Sequence, residues 1–337
     1  MDLLKVGVLA TLFGCAKVGY ISKQAKEQVY LIVGGEKNED VLENLNVDPE
    51  TKKKIREIIK YKEFFVRYFQ LQGEELDAYN KTILLDRQAV SHLVISSPIN
   101  KIKPVKECFP FTGCFPYLGF FKEGEAKKYA TKQEEKGLST YTRPVYAYSS
   151  LGHWNDRILS SFFHFESREL ANLVFHELFH HIFFIKNEVS LNENLANFFA
   201  EKLCDLYFKE KRPKNDDIKV YNDGINKSIE IINQQIKSST SREDSQRIIE
   251  RYLSENVLVK INAKMTKKLK VDHFKGWNSA RLAARSTYHE KADQIEELSK
   301  RFSSPLKLYQ YLENKRSSYE KSSEKKGFMI FLKQNAD

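Results

Sequence analysis

Residues that break helices are rare in this chain. Of 337 residues only 8 are proline and 14 glycine, and neither type occurs between Ser167 and Phe208. Nothing within that stretch interrupts a helix. Cysteine is scarce as well, at four, and no Cys/His pair sits at zinc-finger spacing, which removes that class of metal site. No internal apolar run approaches the ~20 residues that a membrane-spanning helix takes. Acidic residues fall short of basic ones, 45 against 55, for a net charge of +10. The excess is spread over Lys52-Lys53-Lys54, Lys127-Lys128 and Lys267-Lys268, on what read as solvated helix faces. No nucleic-acid motif accompanies it, so no nucleic-acid partner is expected.

What is present is a packed, aromatic-rich chain: 41% hydrophobic, with 23 Phe and 17 Tyr. The length suffices for a sizeable core in one or two domains. Apolar periodicity predicts an amphipathic helix over Thr51–Leu71, a strand over Ala89–Ile95 ending at Ser97-Pro98, and loop and strand from Phe109 to Phe121. A helix over Glu123–Lys136 and a short strand over Pro144–Ser149 follow. The charged segment from Lys209 to Asp217 is the one plausible boundary between subdomains. Helical patterns cover Ile218–Ile236, Arg242–Met265, Asn278–Phe302 and Pro305–Asn314, with an apolar piece at Phe328–Leu332. The expected class is α+β, mainly helical.

In the unbroken stretch lies His176-Glu177-Leu178-Phe179-His180, an HExxH motif. A helix turns about 100° per residue, so two histidines four apart point nearly the same way. Two imidazoles on one face make half of a zinc site, and the intervening glutamate sits close enough to hold a water there. Leu170, Leu173 and Val174 give the preceding residues helical apolar spacing, with Ser167 as N-cap. Ile182-Phe183-Phe184-Ile185 reads as a continuation of the same buried helix. The bland alternative is a core helix with two satisfied histidines. Apolar flanks make inward-facing polar groups costly unless something pairs them, which favours a metal.

A tetrahedral catalytic zinc wants three protein ligands and one open position. A second helix is expected from about Ser190, carrying Glu193 on its first turn, thirteen residues after His180. A helix–turn–helix pair lets Glu193 face back towards the histidines. Glu201, two turns further on, is the rival, and a helix-dipole role is the non-functional alternative for Glu193. His181 points about 100° away from the ligand face and is not counted. Asn192-Glu193 followed by Asn197 resembles the NExxxD helix of thermolysin-like zinc peptidases. There the glutamate is a ligand and the aspartate holds a ligand histidine in its tautomer. Here Asn197 takes that place, able to accept the same hydrogen bond but without charge.

Beyond the motif, the chain resembles the bacterial predicted (putative) aminopeptidases, envelope zinc proteins of the gluzincin type. The resemblance runs through Gly14-Cys15, Gly19-Tyr20 and Gln24, then Leu85-Asp86-Arg87, Ala89-Val90 and Ser97-Pro98. It continues through Cys108-Phe109-Pro110, Gly113-Cys114, Tyr117 and Gly119-Phe120-Phe121, then Ala147 to Gly152, Leu170-Ala171, Phe175 to Leu178 and His180. Asn192-Glu193, Asn278 to Leu282 and Tyr288 complete it, while residues 209–270 agree only in general character. The resemblance implies one Zn²⁺ per chain, a zincin-like fold with a small sheet packed on the HExxH helix, and helices closing one wall of the cleft. It does not supply a substrate.

Leu12-Phe13-Gly14-Cys15, after the apolar run from Val6, reads as a lipobox, with an ordinary buried N-terminal element as the alternative. On the lipobox reading residues 1–15 are a signal ending at the acylated Cys15. Residues 16–208 form a zincin-like catalytic part and 209–337 a helical C-terminal part. The protein is then lipid-anchored at the cell envelope, on its extracytoplasmic face. Val18–Ile32 reads as a helix leaving the anchor. In that oxidising compartment Cys108 and Cys114 are expected to pair, a second metal site being the other option. Cys204 reads as a buried small hydrophobe.

The expected activity is zinc-dependent peptide hydrolysis with Glu177 as general base, of the aminopeptidase type that the resemblance implies. Tyr148 and Tyr288 are candidate oxyanion donors, although ring packing alone explains a tyrosine as readily. Tyr146-Ala147-Tyr148-Ser149 is the candidate edge strand for an extended substrate, or else a plain core strand. Asp156 and Glu166 are the acids available to hold a free amine, and His153 and His164 are loop histidines near the helix. The alternative function is a catalytically weak zinc-fold lipoprotein that binds peptides or envelope partners.

Overall fold

The computed structural model describes residues 27, 29–72, 78–109, 113–146, 156–210, 216–286, 292–322 and 327–335. The expected lipidation site Cys15, the tyrosines Tyr148 and Tyr288, His153 and three of the four candidate edge residues, Ala147, Tyr148 and Ser149, lie outside them. So does most of the expected Val18–Ile32 helix.

In chain order the elements are β1 (Glu36–Lys37), α1 (Asn38–Glu43), α2 (Pro49–Phe69), β2 (Lys81–Ile83) and β3 (Ser91–Pro98). Next come β4 (Glu107–Phe109), β5 (Gly113–Phe115), β6 (Leu118–Phe120), α3 (Glu123–Glu135), β7 (Leu138–Val145) and β8 (Ile158–Leu159). The remainder is helical: α4 (Ser167–Ile182), α5 (Val189–Phe208), α6 (Asp216–Ile236), α7 (Arg242–Tyr252), α8 (Val259–Lys264), α9 (Ser279–Ser286), α10 (Ala292–Ser299), α11 (Pro305–Lys321) and α12 (Phe328–Gln334). A π-helical stretch, Leu253–Leu258, joins α7 to α8, so the single helix expected over Arg242–Met265 is one rod with a widened middle. The chain is α+β and mainly helical, as its periodicity predicts.

Helix α2 starts on a strong signal. Asp48 accepts the Thr51 amide at 2.9 Å and Pro49 follows it, so the first turn is both capped and preset. Its stripe of Ile55, Ile58, Tyr61, Phe65 and Phe69 is buried against α4. Helix α4 in turn buries Leu170, Ala171, Val174, Phe175, Leu178 and Phe179, a repeat that leaves positions 176, 177 and 180 on another face. Helix α5 closes over it, with the Phe179 and Phe199 rings stacked 4.3 Å apart. These helices share one core with Ile83, Ile158 and Leu159 of β2 and β8 and with residues of α10, α11 and α12. A second core holds α6 to α9 together with Ile102. The residues beyond the charged break thus divide, 216–286 forming their own core and 292–334 returning to that of α4.

Strands β6, β3 and β7 form an antiparallel sheet in that order, so β7 is an edge strand. The sheet expected to lie on the HExxH helix carries chiefly α3 and α9 instead. Two apolar helices already cover α4, and the sheet contributes a small core of its own, Val94, Leu118 and Phe120 with Ala126 of α3. Strand β7 also begins six residues earlier than the predicted Pro144. Cys108 and Cys114 are disulfide-bonded across the β4–β5 hairpin, and Cys204 is buried.

Two local expectations about α4 need correction. Ser167 is its first residue and Glu166 the N-cap, because the Ser167 hydroxyl turns to Glu57 (3.2 Å) rather than to the helix. The helix also stops at Ile182 instead of running on to Ile185. Phe183 is extended, and the Ile185 backbone is clamped by Asn192, whose Oδ1 accepts the Ile185 amide at 2.9 Å and whose Nδ2 donates to its carbonyl at 2.8 Å. Phe183 and Ile185 stay buried in the core, which is why their apolar character reads as helix.

Candidate metal centre

The clamp at Ile185 reverses the chain so that α5 packs back along α4, and this sets the site. The Nε2 atoms of His176 and His180 stand 3.2 Å apart. The Glu193 carboxylate reaches both, at 3.4 Å from His176 and 3.6 Å from His180. Ligand atoms 2.0–2.2 Å from a tetrahedral ion are about 3.4 Å from one another. Among the described residues, these three are the one cluster of His, Cys, Asp and Glu with the spacing for a metal ion. His180 is 3% exposed, His176 14% and Glu193 26%, so the cluster is closed below and open to solvent on the Glu193 side. Glu201, the rival ligand, is exposed and outside the cluster.

The donor set itself calls for a cation. Asn197 Oδ1 lies 3.0 Å from His176 Nδ1, a contact that makes Nδ1 the donor and turns Nε2 towards the cluster. Two imidazole nitrogens and a carboxylate oxygen then converge, and only a proton or a metal ion can hold them at these distances. Burial works against charge on His176. The Glu193 hydrogen bond and the charges of Glu177 and Glu193 outweigh it and raise His176 above the ordinary imidazole value. Burial pushes His180 down to about 4, with His176 acting the same way. Burial also opposes ionisation of Glu193, but the His176 bond and the charges of His176, His180 and Arg143 hold its carboxyl low. Support is one-sided: His180 Nδ1 is buried with no partner among the described residues.

Glu177 sits beside this cluster, and burial pushes its carboxyl up to about 7, helped by the charges of Glu193 and Asp156. A carboxyl poised near neutrality suits a proton carrier. His181 is no ligand. It pairs with Asp156 at 2.7 Å, both nearly buried. Asp156 is therefore engaged, and Glu166 is an exposed cap residue, so neither stands as a holder of a free amine. Tyr146 follows the end of β7, its ring 4.3 Å from that of the exposed His164.

Asn192, named in the sequence only through its likeness to the NExxxD helix, builds the reversal beside Glu193. Two other residues near the site carried no signal of their own in the sequence. Arg143, on β7, adds positive charge beside Glu193. Tyr79 is buried with φ 59°, its amide donating to the Asp156 carbonyl at 2.7 Å and its carbonyl accepting from Asn38 at 2.8 Å. Burial raises its hydroxyl, and Glu177 and Asp156 nearby raise it further.

An HExxH helix, a facing helix with a carboxylate and an opening to solvent define a candidate single-metal site of the kind that serves hydrolases. The family profile described as Putative aminopeptidase matches residues 19–327, and the chain belongs to that family. No curated protein matches the chain. No solved structure matches it either.

Proposed function

We propose that this protein is a zinc-dependent peptidase with a zincin-like fold, in which His176, His180 and Glu193 hold one Zn²⁺. The observation that carries this reading is the convergence of the two Nε2 atoms and the Glu193 carboxylate within 3.6 Å, on the helix that also presents Glu177. Zinc supplies Lewis acidity and a water whose pKa falls towards ~7. Glu177 takes the proton of the attacking water and returns it to the leaving nitrogen. Asn197 keeps His176 in the ligating tautomer. An extended substrate pairs with the outer edge of β7 and the segment Tyr146–Ser149 beyond it. Tyr148 and Tyr288 are proposed as donors to the oxyanion. Residues 16–208 form the catalytic part and 209–337 the helical part, of which the 216–286 core makes one wall of the cleft.

Family membership supports peptide bonds as the substrate class, and intact Glu177 favours an active enzyme over a purely binding protein. Digestion of a mixed peptide library, read by mass spectrometry, tests the proposal. The wild type is expected to cut and Glu177→Gln to lose nearly all activity, with the cut positions separating N-terminal trimming from internal cleavage. Equal digestion by both proteins overturns the assignment.

The lipobox supports a lipid anchor at Cys15 on the extracytoplasmic side of a membrane, in keeping with the Cys108–Cys114 disulfide. Among the described residues no helix is long and apolar enough to cross a membrane. Metabolic acyl labelling that persists in Cys15→Ala would remove the anchor.

A further inference from the structure

Helix α9 lies against β3 and β7, fixed by hydrogen bonds from Asn278 to the Thr140 carbonyl and from Ser279 to the Pro98 carbonyl, both 2.9 Å. It presents two arginines one turn apart. The Arg281 guanidinium lies over Trp277, 4.4 Å from the ring centroid, and 5.4 Å from that of Tyr141. Arg285 lies 4.6 Å from the Tyr221 ring and donates to Asn222 Oδ1. The Tyr221 hydroxyl is already paired with His273 at 2.9 Å.

The polar balance here is one-sided. Among the described residues neither guanidinium is paired with a carboxylate, although bringing two cations together has a cost that proteins usually offset with an acid. Among the described residues two buried donors here stand without acceptors: Nε of Arg285 itself and the indole Nε1 of Trp277, a residue only 3% exposed. His273 feels the same field, its imidazole lowered first by burial and then by both arginines. Buried donors with no acceptor, beside two unneutralised cations, describe a place prepared for an anion.

The cluster is also placed in relation to the metal centre. Tyr141, beneath Arg281, and Arg143, whose charge reaches Glu193, are two residues apart on β7, about 7 Å along an extended strand. A peptide lying along β7 from the metal centre therefore runs up to α9 within a few residues.

We propose that Arg281 and Arg285 form a carboxylate-binding subsite that selects peptides bearing an acidic group a few residues from the scissile bond. This rests on the peptidase reading for the identity of the ligand. The carboxylate belongs to an Asp or Glu side chain or to the peptide C-terminus, and the planar guanidinium fork of Arg281 recognises it as two parallel N–H···O bonds.

Calorimetric binding to the full-length Glu177→Gln protein tests the subsite with four alanine-rich hexapeptides, ending in Glu or Gln, each with a free or an amidated C-terminus. The peptide with no carboxylate is expected to bind about tenfold or more weakly than the best acidic one. The free-acid Gln and amidated Glu peptides show which carboxylate is read. In Arg281→Gln the preference is expected to vanish, and in Arg281→Lys, which keeps the charge but not the fork, to shrink. Four peptides that bind alike, or none that binds, overturn the subsite, as does a preference that survives in Arg281→Gln. If Arg281→Gln melts early, the Lys variant decides: an unaltered preference there counts against the fork. No preference among the four peptides, in a protein whose wild type holds zinc and hydrolyses peptides, refutes this subsite alone. A preference in Glu177→Gln, when the wild type neither holds zinc nor hydrolyses peptides, refutes the peptidase reading instead.

Discussion

His176 Nδ1 and Asn197 Oδ1 are 3.0 Å apart, joining the HExxH helix to the helix that carries Glu193. An uncharged amide stands where a carboxylate would make the imidazole a stronger ligand. Removing it in Asn197→Ala should weaken zinc binding about 10–100-fold, as loss of such supporting partners does. Asn197→Asp should recover or exceed wild-type affinity. Competition with a chromophoric chelator measures both, and unchanged affinity in Asn197→Ala would show that the bond does not orient the ligand.

Zinc binding should depend on pH through His176. Its folded value lies above the ordinary imidazole one, so the metal-free protein holds that proton to higher pH than a free imidazole does, and zinc must displace it. Affinity then rises with pH, by up to about tenfold per unit for one proton, until the pH exceeds the His176 pKa. His180, held at about 4, is already neutral and adds no such dependence in this range. Titration calorimetry in buffers of different ionisation enthalpy should detect proton release at about pH 7. A flat profile would contradict it.

Asn192 should matter as much as the ligands, for a mechanical reason. Asn192→Ala leaves the Ile185 amide unpaired in a buried turn, and leaves its carbonyl with the Glu188 amide at 3.2 Å alone. A loss of about 1–3 kcal/mol in urea unfolding is expected, with weaker zinc binding as Glu193 loosens. A variant of wild-type stability would mean that the turn forms without the clamp.

His181 offers the opposite test. His181→Ala should keep its zinc, because its nitrogen faces Asp156 and not the cluster. It should lose about 1.5–3 kcal/mol of stability, since the buried Asp156 carboxylate loses its bond to His181. Adding Asp156→Ala should restore part of that loss in a double-mutant cycle. Zinc lost with His181 would make this histidine a ligand.

Local patterns made much of this legible. The proposed ligand histidines and Glu177 follow from helical spacing, and Glu193 from the likeness of its helix to that of thermolysin-like peptidases; α2, expected from Thr51, starts two residues earlier on the Asp48-Pro49 cap. What sequence could not supply was the stop. Phe183 and Ile185 are as apolar as a helix interior, and only the distant clamp of Asn192 explains why α4 ends before them. Arg143 and Tyr79 reach the site through pairings far apart along the chain, where no periodicity points. The packing of the β3–β7 sheet was likewise hidden, because edge residues such as Thr140 and Arg143 do not declare which helix they meet.

The most direct measurement is zinc per chain, by plasma mass spectrometry, on protein purified without chelator. About one atom is expected in the wild type, and well under half in His176→Ala, His180→Ala and Glu193→Ala. Wild-type protein with far less than one zinc, or three variants that keep it, would contradict the metal centre on which the proposed chemistry depends.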